Sequence, residues 1–139
     1  MTLPKAVIDT NVLISAIVFG GIPRQILEEV IAGRLEVAIS REILHEMQGI
    51  LLGKKFKYPQ ETVNAITSEL ATLCEIVLPV QRIDIVRSDP ANNRVIECAL
   101  EAKAQYIITG DSHLIELKEV HGISIVTPSE FLAIKAAYR

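Results

Sequence analysis

The sequence predicts an α/β fold, a three-layer α/β/α sandwich around a central, mainly parallel sheet. Apolar runs of strand length alternate along the chain with segments of helical periodicity. Several of these runs are apolar without alternation, which is typical of strands that are covered on both faces of a parallel sheet. The chain has 139 residues, 50% of them apolar, so we expect residues 1–139 to form a single domain.

Charge and aromatic content limit the kinds of partner. Fourteen Lys and Arg against seventeen Asp and Glu give a formal net charge of -3, which argues against a broad basic surface but allows a local one. Three Phe, three Tyr and no Trp are too few for an extended base-stacking platform. Cys74 and Cys98 lie in apolar segments, so we expect reduced core thiols rather than disulfides or a zinc site.

The apolar segments are too short to span a membrane. The longest stretch without charge, residues 10–23, falls short of the ~20 residues that a bilayer requires. The first residues lack the basic-then-apolar order of a signal peptide. We therefore expect a cytoplasmic protein with no membrane partner.

The first predicted elements are a buried strand and a helix. Residues 5–9 form an apolar run that ends in an acid, which indicates a strand inside a sheet. Thr10 or Asn11 is a suitable N-cap for a helix over residues 12–18. Two glycines at positions 20–21 end this helix, because glycine is a poor helix former.

The next predicted elements are a helix, a strand and a second helix. Residues 24–32 have helical apolar spacing, with a proline just before them and Gly33 at their end. Residues 36–39 read as the second strand, and Ser40 is a candidate N-cap for the helix that follows. The apolar stripe of that helix recurs at helical spacing: Ile43, Leu44, Met47, Ile50 and Leu51.

The second half repeats the alternation after a basic loop at residues 53–59. We predict a helix over residues 61–73, a strand at 75–78 and an irregular segment at 79–90. Asn92 or Asn93 caps the next helix, which extends to about residue 103. The remaining elements are a strand at 106–109, a turn at 110–112, a last strand at 123–126 and a final helix that opens at 127–128 and extends to 137.

Two acids follow predicted strands, Asp9 after the first and Asp111 after the strand at residues 106–109. In parallel sheets the ligand site lies at the carboxyl ends of the strands, so the fold brings both acids to one edge. Two neighbouring carboxylates repel each other unless one is protonated or a cation lies between them. Oxygen-only ligands suit Mg²⁺ or Mn²⁺. Either Asp taken alone is read equally well as the cap of the element that follows it.

Seven segments in chain order resemble one known family, the PIN-domain ribonucleases. The resemblance is to the branch of toxins from toxin–antitoxin pairs, and it extends over nearly the whole chain. The opening segment reads Val-Ile-Asp-Thr-Asn-Val-Leu-Ile-Ser-Ala, and a later one reads Tyr-Ile-Ile-Thr-Gly-Asp. The segments are residues 7–16, 19–21, 40–46, 89–90, 96–99, 106–111 and 126–131.

The resemblance implies cleavage of RNA that depends on Mg²⁺ or Mn²⁺. Matched residue by residue, it makes Asp9, Glu46 and Asp111 the catalytic metal ligands, with Thr10 and Asn11 in support. Such an ion activates a water molecule and stabilises charge on the scissile phosphate. Glu42 lies one turn before Glu46 on the same helix face, and periodicity alone does not choose between them, whereas the resemblance favours Glu46.

One position departs from the family pattern. The family usually has an acid at the start of the helix that begins near residue 92, where this chain has Asn92 and Asn93. Asn93 supplies an amide oxygen but no charge, and Asp89 or Glu97 is a candidate for the missing carboxylate. The plain alternatives are a turn acid before proline for Asp89 and a surface helix charge for Glu97.

RNA has to reach an acidic centre, so basic residues near this centre are candidates for binding it. The densest basic run lies in the loop at residues 53–59, and a solvated loop is its plain alternative. The candidate RNA-binding residues are Lys54, Lys55, Lys57, Arg24, Arg41 and Arg94. His113 reads as a surface turn residue. The resemblance also implies an antitoxin partner and a homodimer, and the early helices are apolar on several faces, which suits a dimer interface.

Three other functions are compatible with an α/β chain of this size. A phosphatase of the haloacid dehalogenase type needs a second acid two residues after Asp9, where this chain has Asn11. A phosphoacceptor receiver domain needs an acidic pair near the first strand and a late-strand lysine, and neither is present. The remaining alternative is a catalytically weak or inactive PIN-like domain that binds RNA or protein, which the amides at positions 92 and 93 would suit.

Overall fold

The computed structural model describes residues 3–87 and 89–137, and within these ranges six strands form one sheet. The strands are β1 (Lys5–Ile8), β2 (Glu36–Ser40), β3 (Glu75–Val77), β4 (Tyr106–Ile108), β5 (Glu119–Val120) and β6 (Ile123–Val126). Their order across the sheet is β3-β2-β1-β4-β6-β5. β5 is antiparallel to β6, and the other neighbouring pairs are parallel. The predicted, mainly parallel sheet is confirmed.

Seven helices in the same described part of the chain connect and cover these strands. They are α1 (Thr10–Val18), α2 (Gly21–Ile31), α3 (Arg41–Leu52), α4 (Gln60–Leu73), α5 (Pro90–Ala102), α6 (Ser112–Ile115) and α7 (Pro128–Ala137). α5 packs on β1, β2 and β4, whereas α1 packs on α2 and α3. The predicted α/β/α arrangement is therefore confirmed.

β1 lies at the centre of the sheet and of the core. Its residues Ala6, Val7 and Ile8 are at most 2% exposed, which explains why the run is apolar without alternation. Val7 is in register with Ala38 of β2 and Ile107 of β4. Because these three strands are parallel, their carboxyl ends meet at one edge of the sheet.

Two helices start directly from this carboxyl edge. Ser40 is the N-cap of α3, as predicted, and its Oγ accepts a hydrogen bond from the backbone N–H of Ile43 at 3.3 Å. Asp9 precedes α1 in the N-cap position, but its side chain makes no capping hydrogen bond. The carboxylate of Asp9 is thus not used up by helix capping.

The start of α5 was predicted wrongly. The helix begins at Pro90, and Asp89 caps it by accepting a hydrogen bond from the N–H of Ala91 at 3.1 Å. Proline suits the first helical position because its missing N–H has no helical partner there. Asn92 and Asn93, predicted as caps, therefore lie inside the first turn. α2 also begins earlier than predicted, at Gly21.

Two short elements were missed. β5 has two residues and forms a hairpin with β6, through a turn in which His121 and Gly122 have φ values of 49° and 81°. α6 has four residues and replaces the predicted turn after β4. Neither is long enough to produce a periodic hydrophobic pattern.

No single helix in residues 3–87 and 89–137 is long and apolar enough to cross a membrane. α1 and α2 reach that length and composition only when taken together, and they meet at an angle of 96°. Cys74 and Cys98 are buried, free thiols, as predicted, and burial raises their pKa values to about 11 and about 12.

Candidate functional site

Asp9 and Asp111 lie at the same edge of the sheet, where the adjacent parallel strands β1 and β4 end. Thr109 connects them. Its hydroxyl donates a hydrogen bond to Oδ2 of Asp9 at 2.8 Å and accepts one from the backbone N–H of Asp111 at 3.0 Å. The two acids, which lie about a hundred residues apart in the chain, are therefore held in a fixed relation by one buried side chain.

The carboxyl group of Asp9 is buried, with 5% of the residue exposed. Its pKa is raised from 3.8 to about 6, chiefly by burial and to a smaller extent by the negative charges of Glu46 and Asp111. Hydrogen bonds from Thr109 and from the backbone of Thr10 act in the opposite direction. Glu46 is therefore close enough to Asp9 for their charges to interact.

The structure separates the two acids of α3 that periodicity left open. Glu46 is half-buried and faces the charge of Asp9. Glu42 is exposed and turns toward Arg82, with 3.8 Å between a carboxylate oxygen and the guanidinium. Glu46 therefore belongs to the edge group, which we define as Asp9, Glu46 and Asp111.

The capping interpretation applies to Asp111 and not to Asp9. Oδ1 of Asp111 accepts a hydrogen bond from the N–H of His113 at 2.8 Å, which caps α6. His113 itself is exposed, as predicted. Asp111 also borders a cavity of about 430 Å³, which Asn11 and Ser15 of α1 line from the other side. A ligand in this cavity has direct access to the carboxylate.

The donor atoms of the edge group fit a divalent metal ion. Its carboxylates offer only oxygen, which suits Mg²⁺ or Mn²⁺, and across residues 3–87 and 89–137 no Lys or Arg pairs with them. In the same ranges no three His, Cys, Asp or Glu side chains are arranged to hold an ion by themselves. Mg²⁺ typically keeps several waters and binds one or two carboxylates plus phosphate oxygens. The arrangement therefore fits a hydrated ion rather than a cage made of protein.

Asn93 is buried and all its polar atoms are in use. Its Oδ1 accepts hydrogen bonds from the N–H groups of Ile85 and Val86 at 3.0 and 2.8 Å, and its Nδ2 donates to the carbonyl of Val86 at 2.7 Å. Asn93 therefore anchors the connector, residues 78–87, instead of offering a free ligand. Asn92 is also buried, and its Nδ2 has no hydrogen-bond partner among the described residues.

Glu97 and Asp89 are likewise engaged by protein groups. Glu97 is 2% exposed, so the alternative interpretation of Glu97 as a surface helix charge is wrong. Its carboxylate accepts hydrogen bonds from the N–H of Ile83 at 2.8 Å, from Arg94 at 2.8 Å and from Arg82 at 3.3 Å. Asp89 is the half-buried cap of α5. These contacts give both acids a structural role and leave the candidate ligand set at three carboxylates.

The basic candidates divide into free and engaged residues. Arg24 donates to the carbonyls of Ala16 and Ile17 at the end of α1, and Arg94 pairs with Glu97. The other candidates are exposed and have no ion pair within the described ranges: Lys54, Lys55, Lys57 and Arg41. The role of Thr109 in linking the two aspartates was not predicted from the sequence. The available signal was a polar residue between a buried strand and a Gly-Asp pair, and Thr109 is indeed fully buried.

A family model described as PIN domain matches residues 5–113. An uncharacterized protein of Methanocaldococcus jannaschii is 33% identical over an alignment of 141 residues, gaps included, that covers 92% of this chain and 89% of that protein.

Three solved structures share the fold. VapBC2 from Rickettsia felis, bound to a DNA fragment from their promoter, aligns with a TM-score of 0.59 and 18% identity over 87% of this chain and 96% of that one. The PIN domain of human SMG5 aligns with a TM-score of 0.53 and 14% identity, over 98% of this chain and 100% of that one. The RRP44 PIN domain of T. brucei gives 0.56 and 16% over 99% and 83%. At these identities the similarity shows the fold.

Proposed function

The chain belongs to the PIN-domain family, whose members are generally nucleases, and from this premise we propose that it is an Mg²⁺- or Mn²⁺-dependent endoribonuclease. The observation that carries the proposal is the edge group. Asp9 and Asp111 are joined through Thr109, Glu46 is close enough to Asp9 for their charges to interact, and no Lys or Arg of the described residues pairs with the three carboxylates. Such a group is stable when ionised only if a cation compensates it.

Each residue of the site has a defined task in this proposal. Asp9, Glu46 and Asp111 hold the metal ion, and Thr109 fixes the spacing of the two aspartates. When bound, the ion activates water as the nucleophile and stabilises charge on the scissile phosphate. Thr10 supports Asp9 through its backbone, and Asn11 lines the cavity where RNA would enter. The chain mainly supplies geometry and electrostatic stabilisation.

We further propose that the protein is the toxin of a toxin–antitoxin pair. In this proposal it acts in the cytoplasm, and residues 1–139 form one domain. The likeness to VapBC2 supports a partner protein. A homodimer through the early helices, which leaves the edge group open, is supported by two exposed apolar residues of α2, Ile22 and Ile31, which are 42% and 65% exposed.

The alternative is a catalytically weak or inactive PIN-like domain that binds RNA or protein. It is favoured by the start of α5, where Asn92 and Asn93 stand in place of the family's acid and where Asp89 and Glu97 are engaged elsewhere. With three carboxylates in place of four, the site attracts a divalent cation less strongly.

Metal titration separates the two functions. The full chain, treated with a chelator, is mixed with labelled single-stranded RNA while Mn²⁺ or Mg²⁺ is added. We expect internal cleavage that requires the ion, and loss of at least about 100-fold in rate in Asp9→Asn. Glu36→Gln is the matched control, since Glu36 is exposed and begins β2 at the opposite edge. Tight RNA binding without metal-dependent turnover would support the inactive module instead.

A further inference from the structure

Two phenylalanines and a lysine form a cluster at the ends of α1 and α3. The rings of Phe19 and Phe56 meet edge to face, with centroids 6.0 Å apart. The ammonium of Lys55 lies 5.3 Å from the centroid of the Phe56 ring. Phe19 is 69% exposed, so a large aromatic surface faces water although chain folding could have covered it.

The two chain segments that carry this cluster are positively charged, although the whole chain is negative. Residues 47–60 contain Lys54, Lys55 and Lys57 but no Asp or Glu, and residues 10–27 also contain no acid. The three lysines are exposed and form no ion pair in the part of the chain that the structure describes. Their charge is therefore available to a negative partner.

The loop that carries the lysines is ordered. The N–H of Lys57 donates to the carbonyl of Gly53 at 2.8 Å, and the N–H of Tyr58 donates to the carbonyl of Leu51 at 2.9 Å. Phe56 is half-buried against the core, which holds the loop in place. The lysines are thus presented from a fixed position beside the two rings.

The cluster and the edge group lie at two ends of the same helix pair. Asp9 interacts with Glu46 at one end, and Phe19 contacts Phe56 at the other, ten residues further along each segment. α1 packs directly on α3 between these points. At 1.5 Å per helical residue, the cluster lies about 15 Å from Asp9, the length of a few nucleotides.

Gly49 lies on α3 between Glu46 and Phe56, three residues after Glu46 and so on the same helix face. Glycine destabilises a helix interior relative to alanine. A Cβ added at Gly49 would meet no atom within 4 Å, so packing inside the chain does not require glycine there. Its effect is to leave bare helix backbone along the path from the acids to the cluster.

We propose that this path is a secondary binding site for single-stranded RNA, in which one base stacks on Phe19 and the phosphates on either side contact Lys54 and Lys55. The inference rests on the proposed ribonuclease function and names where the substrate extends beyond the metal site. One exposed ring beside free lysines suits a single stacked base and a polyanion. It does not amount to the extended platform that the composition argued against.

Direct binding tests the site without cleavage. The probe is a fluorescent oligouridylate of about twelve nucleotides, within the range of single-strand binding sites, added to the Asp9→Asn chain while anisotropy is measured. We expect Phe19→Ala to weaken binding about tenfold. Lys54→Gln and Lys55→Gln should each reduce the slope of log K against log salt by about 0.7. Leu78→Ala is the control, because Leu78 is 60% exposed but follows β3. Unchanged affinity in Phe19→Ala would overturn the proposal.

Gly49→Ala gives an independent test with opposite effects on stability and binding. We expect the melting temperature to rise by about 3 °C, because alanine favours the helix, while RNA affinity falls several-fold because a methyl group obstructs the path. A more stable variant with unchanged affinity would remove Gly49 from the path and contradict the inferred route.

The outcomes distinguish this inference from the proposed function. Metal-dependent cleavage by the wild-type chain together with unchanged binding in Phe19→Ala would leave the function standing and overturn the secondary site. If Phe19→Ala loses RNA binding while the wild-type chain shows no cleavage, the secondary site stands and the proposed ribonuclease function is overturned. If Phe19→Ala instead converts a dimer to a monomer in light scattering at unchanged RNA affinity, the cluster is an interface between two copies and the proposal fails.

Discussion

Two groups of acids in this protein differ in how their charge is compensated. Glu97 is almost fully buried, yet Arg82, Arg94 and the N–H of Ile83 all contact its carboxylate. In the edge group, Asp9 is buried beside two further carboxylates and its pKa is raised to about 6. Burial of an acid alone therefore does not identify a functional site. A buried acid identifies a functional site when no cation of the chain pairs with it, because its charge can then be compensated only by a ligand.

The largest expected effect comes from removing the carboxylate of Glu97, whose charge the chain itself compensates. Glu97→Ala leaves Arg94 and the connector without their shared acceptor, so we expect unfolding free energy to fall by about 4 kcal/mol, as for other buried pairs that lose one member. Urea denaturation measures it. Glu101→Ala is the control, since Glu101 is exposed and, among the described residues, accepts one hydrogen bond from the connector, from the N–H of Val80 at 3.2 Å. This substitution should lower the unfolding free energy by less than about 1 kcal/mol. Equal losses would show that the ion pairs around Glu97 contribute nothing.

The second effect relieves the uncompensated group. The pKa of Asp9 in the folded chain, about 6, exceeds its ordinary value of 3.8. Ionisation of Asp9 therefore destabilises the metal-free fold increasingly between about pH 4 and pH 6, and to the full extent above pH 6. Asp9→Asn should therefore stabilise the metal-free chain by about 3 kcal/mol at pH 8. The gain should shrink as pH falls through 6 and vanish below about 4, where Asp9 is protonated in both states. A gain independent of pH would refute this origin.

A matched pair on α3 sharpens the comparison further. We expect Glu46→Gln to reduce metal-dependent RNA cleavage about 100-fold, because it removes one of three ligand charges. Glu42→Gln, one turn earlier, should stay within about twofold of wild type, since Glu42 faces Arg82. Cleavage rates at saturating Mn²⁺ measure both. Equal losses would mean that the position of Glu46 beside Asp9 has no catalytic meaning.

The smallest effect concerns Asn93. Replacing Asn93 by Asp removes the donor to the carbonyl of Val86, so we expect a loss of about 2 kcal/mol in stability and no gain in Mn²⁺ affinity. Asn92→Asp is the comparison, because the Nδ2 of Asn92 has no partner in the described residues. Calorimetric titration with Mn²⁺ is the measurement. Tighter binding by Asn93→Asp would place this residue beside the metal after all.

Much of the fold was predictable because it follows from local patterns. The buried run of β1, the Ser40 cap of α3 and Gly33 after the end of α2 each have a signal within a few residues. The meeting of Asp9 and Asp111 was predictable as well, since parallel strands bring their carboxyl ends together. Glu46 lies on α3, where periodicity did not separate it from Glu42.

The connections that span long distances were not predictable. Thr109 links two acids from opposite ends of the chain, and no local pattern records such a contact. Asn93, Glu97 and Glu101 recur every fourth residue on α5, which was a visible signal of one polar face. The sequence did not show that this face holds the backbone of an irregular segment, because backbone donors carry no residue identity.

That polar face of α5 has a consequence for amide hydrogen exchange. Four backbone amides of the connector, at Val80, Ile83, Ile85 and Val86, donate to side chains of α5 rather than to other backbone groups. Irregular surface segments ordinarily exchange their amide hydrogens rapidly. We expect exchange at Ile83, Ile85 and Val86, whose acceptors on α5 are buried, to require separation of the connector from the helix, so that these amides slow down together and report one local opening event.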